Sequence, residues 1–153
     1  MTTHTTPNLI NKNLDDAVSH TTAEITRTDT KAGQIITLDG LLVAALSFLG
    51  TKLDGVALGA ALIGALALVT SVVMALTVIR PRFFCKGRTD RASFVFWATA
   101  DLADIEAGMT EDRRLARVQV LSRITLRKMR FIQLAGDASL IAVIAIAAAI
   151  LTR

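Results

Sequence analysis

Residues 56–79 read VALGAALIGALALVTSVVMALTVI, about 24 residues without a single charge. A bilayer core takes about 20 apolar residues, each rising ~1.5 Å along a helix. A helix buried in a water-soluble domain seldom stays uncharged on every face for that length. Gly59, Gly64 and the many alanines suit close packing against membrane neighbours. The run stops at Arg80-Pro81-Arg82, where two cations meet the interface and the proline hinders further helix. The stretch predicts a transmembrane helix, and the rest of the chain is placed relative to it.

At 153 residues the chain is expected to be one domain. Apolar residues make up 52%, tyrosine is absent and the mean hydropathy is +0.52. The net charge is nevertheless +4, so charge must be segregated along the chain. A lone cysteine, Cys85, excludes an internal disulfide and argues against a thiolate metal site. The opening residues lack the charged start and apolar run of a signal peptide, and residues 1–13 read as a disordered polar lead-in. Residues 14–153 then form the single domain.

Leu14, Val18, Thr21, Ile25, Thr28 and Ala32 alternate spacings of four and three, which is helical. This helix is expected to run straight into a first span at about 32–50, which carries one charge, Asp39. Gly50 and Gly55 bracket a short turn, so the spans at 32–50 and 56–79 form a hairpin. A central region at about 80–132 follows. It holds Phe83, Phe84, Phe94, Phe96 and Trp97, five of the seven aromatics. A helix is expected over 93–106, broken by Gly108, with Thr110 or Asp112 capping the next. From Arg113 the chain is basic and helical, then turns apolar into a third span at about 133–151 that contains Asp137. No proline interrupts 113–151, so one long helix is expected there. The fold class is an all-α membrane protein of three transmembrane helices with a cytoplasmic helical extension.

Of the 17 lysines and arginines, 15 fall before the first span or between the second and third. Only Lys52 and Arg153 fall on the other side. The asymmetry predicts that the N-terminus and central region lie in the cytoplasm and the C-terminus outside.

No phosphate-binding glycine loop, zinc-protease motif, nucleophile triad or histidine cluster is present, and His4 and His20 read as solvated surface. No enzyme, metal site or cofactor is expected. Three groups carry information. Arg27 and Lys31 are like-charged i,i+4 neighbours at the edge of the first span, which invites an external anion. Lipid phosphate is the plain choice and a phosphate ligand the sharper one. The cations of 113–130 form a basic face, with lipid or solvent as its neighbour; nucleic acid is disfavoured because no aromatic is interleaved before Phe131. Asp39 and Asp137 are ionisable groups within spans, expected at similar depth. They serve either an ion path or a structural pairing with Lys31, Lys128 or Arg130.

The run RTDTKAGQIITLDGLLVAAL, a second span ending in VIRPR, then SFVFWA and LSRITLRKMRFIQLA before a last span, is similar to the transmembrane effector of bacterial Pycsar anti-phage defence, the PycTM type. The signature elements are Arg27, Asp29, Lys31 and Ala32 entering the first span, and Lys128 and Arg130 entering the last. The resemblance implies a partner pyrimidine cyclase that makes cyclic UMP or cyclic CMP on infection. The effector would bind that messenger on its cytoplasmic side and impair the inner membrane, causing abortive infection. Elements able to converge there carry Arg27, Lys31, Phe94, Trp97, Arg123 and Lys128 as candidate messenger ligands. Three spans cannot enclose a wide pore, so a homo-oligomer in the lipid bilayer is expected. Rival readings are a ligand-free holin-like or scaffold protein and a small transporter subunit using Asp39 and Asp137.

Overall fold

In a computed structural model, residues 5–49, 53, 55–80 and 94–152 are described. Among them the chain forms five helices: α1 (Thr5–Phe48), α2 (Gly55–Ile79), α3 (Phe94–Thr99), α4 (Leu102–Met109) and α5 (Arg114–Leu151). No strand occurs among the described residues. Phe83, Phe84, Cys85 and the cations Arg82, Lys86, Arg88 and Arg91 lie outside them, as do Gly50, Lys52 and Arg153. The helices α1, α2 and α5 are each long and apolar enough to cross a membrane. The all-α, three-span class therefore holds.

The unbroken α1, 44 residues long, joins the amphipathic stripe to the first span as the spacing predicts. Likewise α5 runs 38 residues from the basic segment into the third span. The chain divides into two compact units, residues 1–24 with 81–125, and residues 25–80 with 126–153.

In the second unit the buried residues follow a four-three rhythm. On α2 they are Ala57, Ala61, Gly64, Leu68, Ser71, Ala75 and Val78. On α5 they are Ala135, Ala138, Ser139, Ala142, Ala145, Ile146 and Ala149. On α1 the stripe continues through the buried Thr28, Ala32, Asp39 and Leu49, with Ile35, Leu42 and Leu46 packed beside it. This seven-residue repeat is the seam of left-handed helix packing. Leu49, Ala61, Leu68, Ala142, Ile146 and Ala149 form one apolar cluster, and Ala32, Ala75, Val78 and Ala135 another. These clusters set α1 parallel to α5, with α2 antiparallel to both. Large apolar residues point outward instead: Leu41, Leu66, Val69, Leu140 and Ile144 are all exposed. That inside-out arrangement suits lipid as the outer solvent.

Close approach explains one of the two glycines singled out in α2. A Cβ on Gly64 would lie 3.1 Å from the Ile146 side chain and 3.5 Å from the Ala145 Cβ. Gly59, by contrast, has open space around it. Threonines and serines on the helices hide their hydroxyls by donating to the carbonyl one turn back, as Thr37 does to Gly33 and Thr70 to Leu66.

Two expectations need correction in the first unit. Residues 5–13, expected in a disordered lead-in, belong to α1. Arg114 supplies a physical reason: its guanidinium donates to the Asn11 carbonyl and side chain and to Asp15 at 3.0 Å. The helix expected over 93–106 is two helices, because Asp101 takes an extended conformation (ψ 155°) between α3 and α4, while Gly108 lies inside α4. Asp112 caps as expected: it accepts from the Arg114 backbone N–H at 3.1 Å, at the start of α5. The Arg114 side chain also bonds it and, with the backbone bond, holds its carboxyl down at about 2. The same contacts, with Asp15, push the Arg114 guanidinium up.

Two outcomes are expected. Gly64→Leu should lower unfolding stability in detergent by about 1–3 kcal/mol through overpacking, measured by circular dichroism, whereas Gly59→Leu should leave the transition in place. The depressed Asp112 carboxyl contributes stability above its ordinary value of 3.8, and that contribution is lost as pH falls through about 2. Asp112→Asn should therefore melt below the parent at neutral pH, and the gap should close on acidification to about pH 2.

Candidate functional site

The two apolar clusters are separated by a polar layer. Its centre is Asp39 of α1, 0% exposed, with Ser71 of α2 at 0% and Ser139 of α5 at 4%. Ser71 Oγ lies 2.6 Å from Asp39 Oδ2, and Ser139 Oγ lies 2.7 Å from Asp39 Oδ1. The two serine oxygens are 2.8 Å apart. All three helices thus meet at one triangle of side chains, joined through four oxygens. At ~1.5 Å per residue, Asp39 stands roughly 15 Å from Leu49 and Ser139 roughly 18 Å from Leu151. That is near the middle of a hydrocarbon layer about 30 Å thick.

The sequence places Asp39 within the first span but does not supply its partners. The expected cationic pairing with Lys31, Lys128 or Arg130 is replaced by two serine hydroxyls. Ser71 had no distinguishing mark, because α2 is apolar on every side and carries Thr70 next to it. The four-three spacing from Gly64 and Leu68 was the signal that could have found it. Asp137 does not join the layer; it is exposed on α5 although Ala138 and Ser139 beside it are buried.

The cations of the second unit sit nearer the other end of the seam. Lys128 donates to Asp29 at 2.5 Å, an ion pair from α5 to α1. Asp29 thus serves Lys128, and Arg27 and Lys31 are both exposed on α1. Lys31 lines an open groove of about 400 Å³ with Gln34, Ile35, Leu38, Ile132 and Gln133. The groove combines one ammonium and two amides with an apolar wall. Arg127 stacks over the Phe131 ring at 5.8 Å where α5 turns apolar.

The remaining candidate ligands belong to the first unit. Trp97 stands on α3 with 40% exposure, Phe94 begins the same short helix, and Arg123 is exposed on α5. Of the cations singled out in the sequence, Lys31 lines the groove and Lys128 pairs with Asp29, whereas Gln34, Gln133, Ser71 and Ser139 carried no mark in the sequence. Among the described residues, no group of three or more His, Cys, Asp or Glu side chains is placed to hold a metal ion.

Comparison with protein families finds a match to the Pycsar effector protein domain over residues 13–153. No curated protein and no solved structure matches the chain.

The triangle should behave as one unit. Ser71→Ala and Ser139→Ala should each lower unfolding stability in micelles by about 0.6–2 kcal/mol. The double variant should lose less than the sum of the two, because a single network is being broken. A strictly additive double variant would mean that the serines act independently.

Proposed function

The chain belongs to the Pycsar effector family, and on that premise we propose that it is an anti-phage effector switched on by a cyclic pyrimidine nucleotide, cyclic UMP or cyclic CMP. The observation that carries this reading is the family match over nearly the whole chain, joined to three helices able to span a bilayer. A pyrimidine cyclase is the functional partner and acts through its product. The activated effector impairs the inner membrane as a homo-oligomer, without catalysis, and the infected cell is lost before phage mature.

The cation asymmetry supports a topology with the N-terminus and residues 80–132 in the cytoplasm and the C-terminus outside. A reporter active only in the cytoplasm should work when inserted at Gly108 and fail when fused after Arg153. A cytoplasmic signal from the C-terminal fusion would overturn the three-span topology.

For the messenger, the groove beside Lys31 offers the chemistry required. The Lys31 ammonium suits a singly charged cyclic phosphate, since charge-assisted hydrogen bonds are the strong ones. The Gln34 and Gln133 amides carry both donors and acceptors for a pyrimidine edge, and Ile35, Leu38 and Ile132 give the base an apolar face. Arg27 on the same helix adds positive field, and the same role is proposed for Lys128, which shares its charge with Asp29. Phe94, Trp97 and Arg123, proposed from the sequence, belong to the other compact unit.

Binding of labelled cyclic UMP and cyclic CMP to the detergent-solubilised chain tests this directly. Lys31→Ala should weaken binding about 10- to 100-fold, the worth of one charged hydrogen bond. Gln133→Ala should change the preference between the two bases. Equal binding by parent and Lys31→Ala would place the site elsewhere. In cells, membrane depolarisation on cyclase co-expression should follow the binding results; depolarisation without any cyclase would favour the ligand-free holin-like reading.

A further inference from the structure

We propose that the Asp39–Ser71–Ser139 triangle is a proton-binding site inside the membrane span, in which the Asp39 carboxyl holds the proton that closes a ring of three hydrogen bonds. The inference comes from counting protons. Three oxygen pairs stand at 2.6, 2.7 and 2.8 Å, all within hydrogen-bond length. Each contact requires one proton between its oxygens. Each serine hydroxyl has one proton to donate, and an ionised carboxylate has none. With a carboxylate, both hydroxyl protons point at Asp39, and the two serine oxygens face each other at 2.8 Å with lone pairs only. With a carboxylic acid, Asp39 donates from Oδ2 to Ser71, Ser71 donates to Ser139, and Ser139 donates back to Oδ1. The opposite sense of circulation serves equally well. Either way every contact has its proton and no donor is left over.

The surroundings supply no other source for that proton. No charged residue occurs anywhere in α2. The buried residues bracketing the layer are Ala32 on α1, Leu68 and Ala75 on α2, and Ala135, Ala138 and Ala142 on α5. The nearest titratable groups along the helices face elsewhere: Lys31 and Asp137 are exposed, and Lys128 is engaged with Asp29. A bare carboxylate in a fully buried, low-dielectric layer is far costlier than a neutral acid. Loss of the proton would therefore open the Ser71–Ser139 contact, which joins α2 to α5. The proton becomes a ligand that holds the seam together.

The test uses the full chain in lipid nanodiscs, carrying Asp137→Asn so that the other aspartate within the spans is silent. With carbon-13 aspartate, infrared spectra at pH 7 should show a protonated carboxyl stretch that moves with the label and vanishes in Asp39→Asn. A spectrum with carboxylate bands alone overturns the proposal, and so does an acid band that survives Asp39→Asn. Asparagine supplies the third proton from its side-chain amide, so Asp39→Asn should fold. Should Asp39→Asn fail to fold, the labelled spectrum of the parent still decides by the presence or absence of the acid band.

Discussion

Helices already surrounded by hydrocarbon gain almost nothing from exchanging lipid for each other, so what holds them is close contact and internal polar bonding. That constraint accounts for the seam between α1, α2 and α5. The buried positions are mostly alanine, glycine and serine, and the bulky side chains are turned outward. Gly64 is the tightest point, with Ile146 filling the space that a Cβ would take. In a water-soluble bundle the same positions would carry large apolar residues, because burial itself would drive assembly.

The polar layer adds what shape alone cannot. A seam of small residues repeating every seven positions can slip by a turn and still pack. Asp39, Ser71 and Ser139 form a single match point among three helices. Moving any one helix by a turn, about 5.4 Å, would leave a carboxyl and hydroxyls facing alanine. Register and polar satisfaction are thus the same requirement, as with single buried polar residues in coiled coils. A bundle held by small contacts and one polar layer thus has one definite packed arrangement.

At the other end of the seam, charge takes over. The Lys128–Asp29 pair joins α5 to α1, and Arg127 covers Phe131 where the helix becomes apolar. Being partly exposed, such a pair contributes modestly to stability. Its larger consequence is positional, since it engages Asp29 and leaves the groove beside Lys31 with an ammonium, two amides and an apolar wall. In the other unit, Arg114 plays the comparable organising part among Asn11, Asp15 and Asp112.

The sequence by itself determined the spans. Length and absence of charge mark α2, and α1 and α5 follow from continuous periodicity with no proline beyond Pro7 in the first turn of α1, because a bilayer admits few other solutions for such segments. It also marked Asp39 as an ionisable group within a span, and Lys31 and Lys128 as cations entering the first and last spans. Only the tertiary structure decided the partners. An all-apolar α2 has no amphipathic side to read, so its buried face, and Ser71 with it, is chosen by what α1 and α5 present. Asp39 and Asp137 look alike along the chain, yet one is enclosed and the other exposed, because α5 turns about 100° per residue and Ser139, not Asp137, falls on the seam. The helix at residues 5–13 was likewise hidden: this stretch carries little periodicity of its own, and Arg114, about a hundred residues away in the chain, bonds Asn11 within it and Asp15 just beyond it.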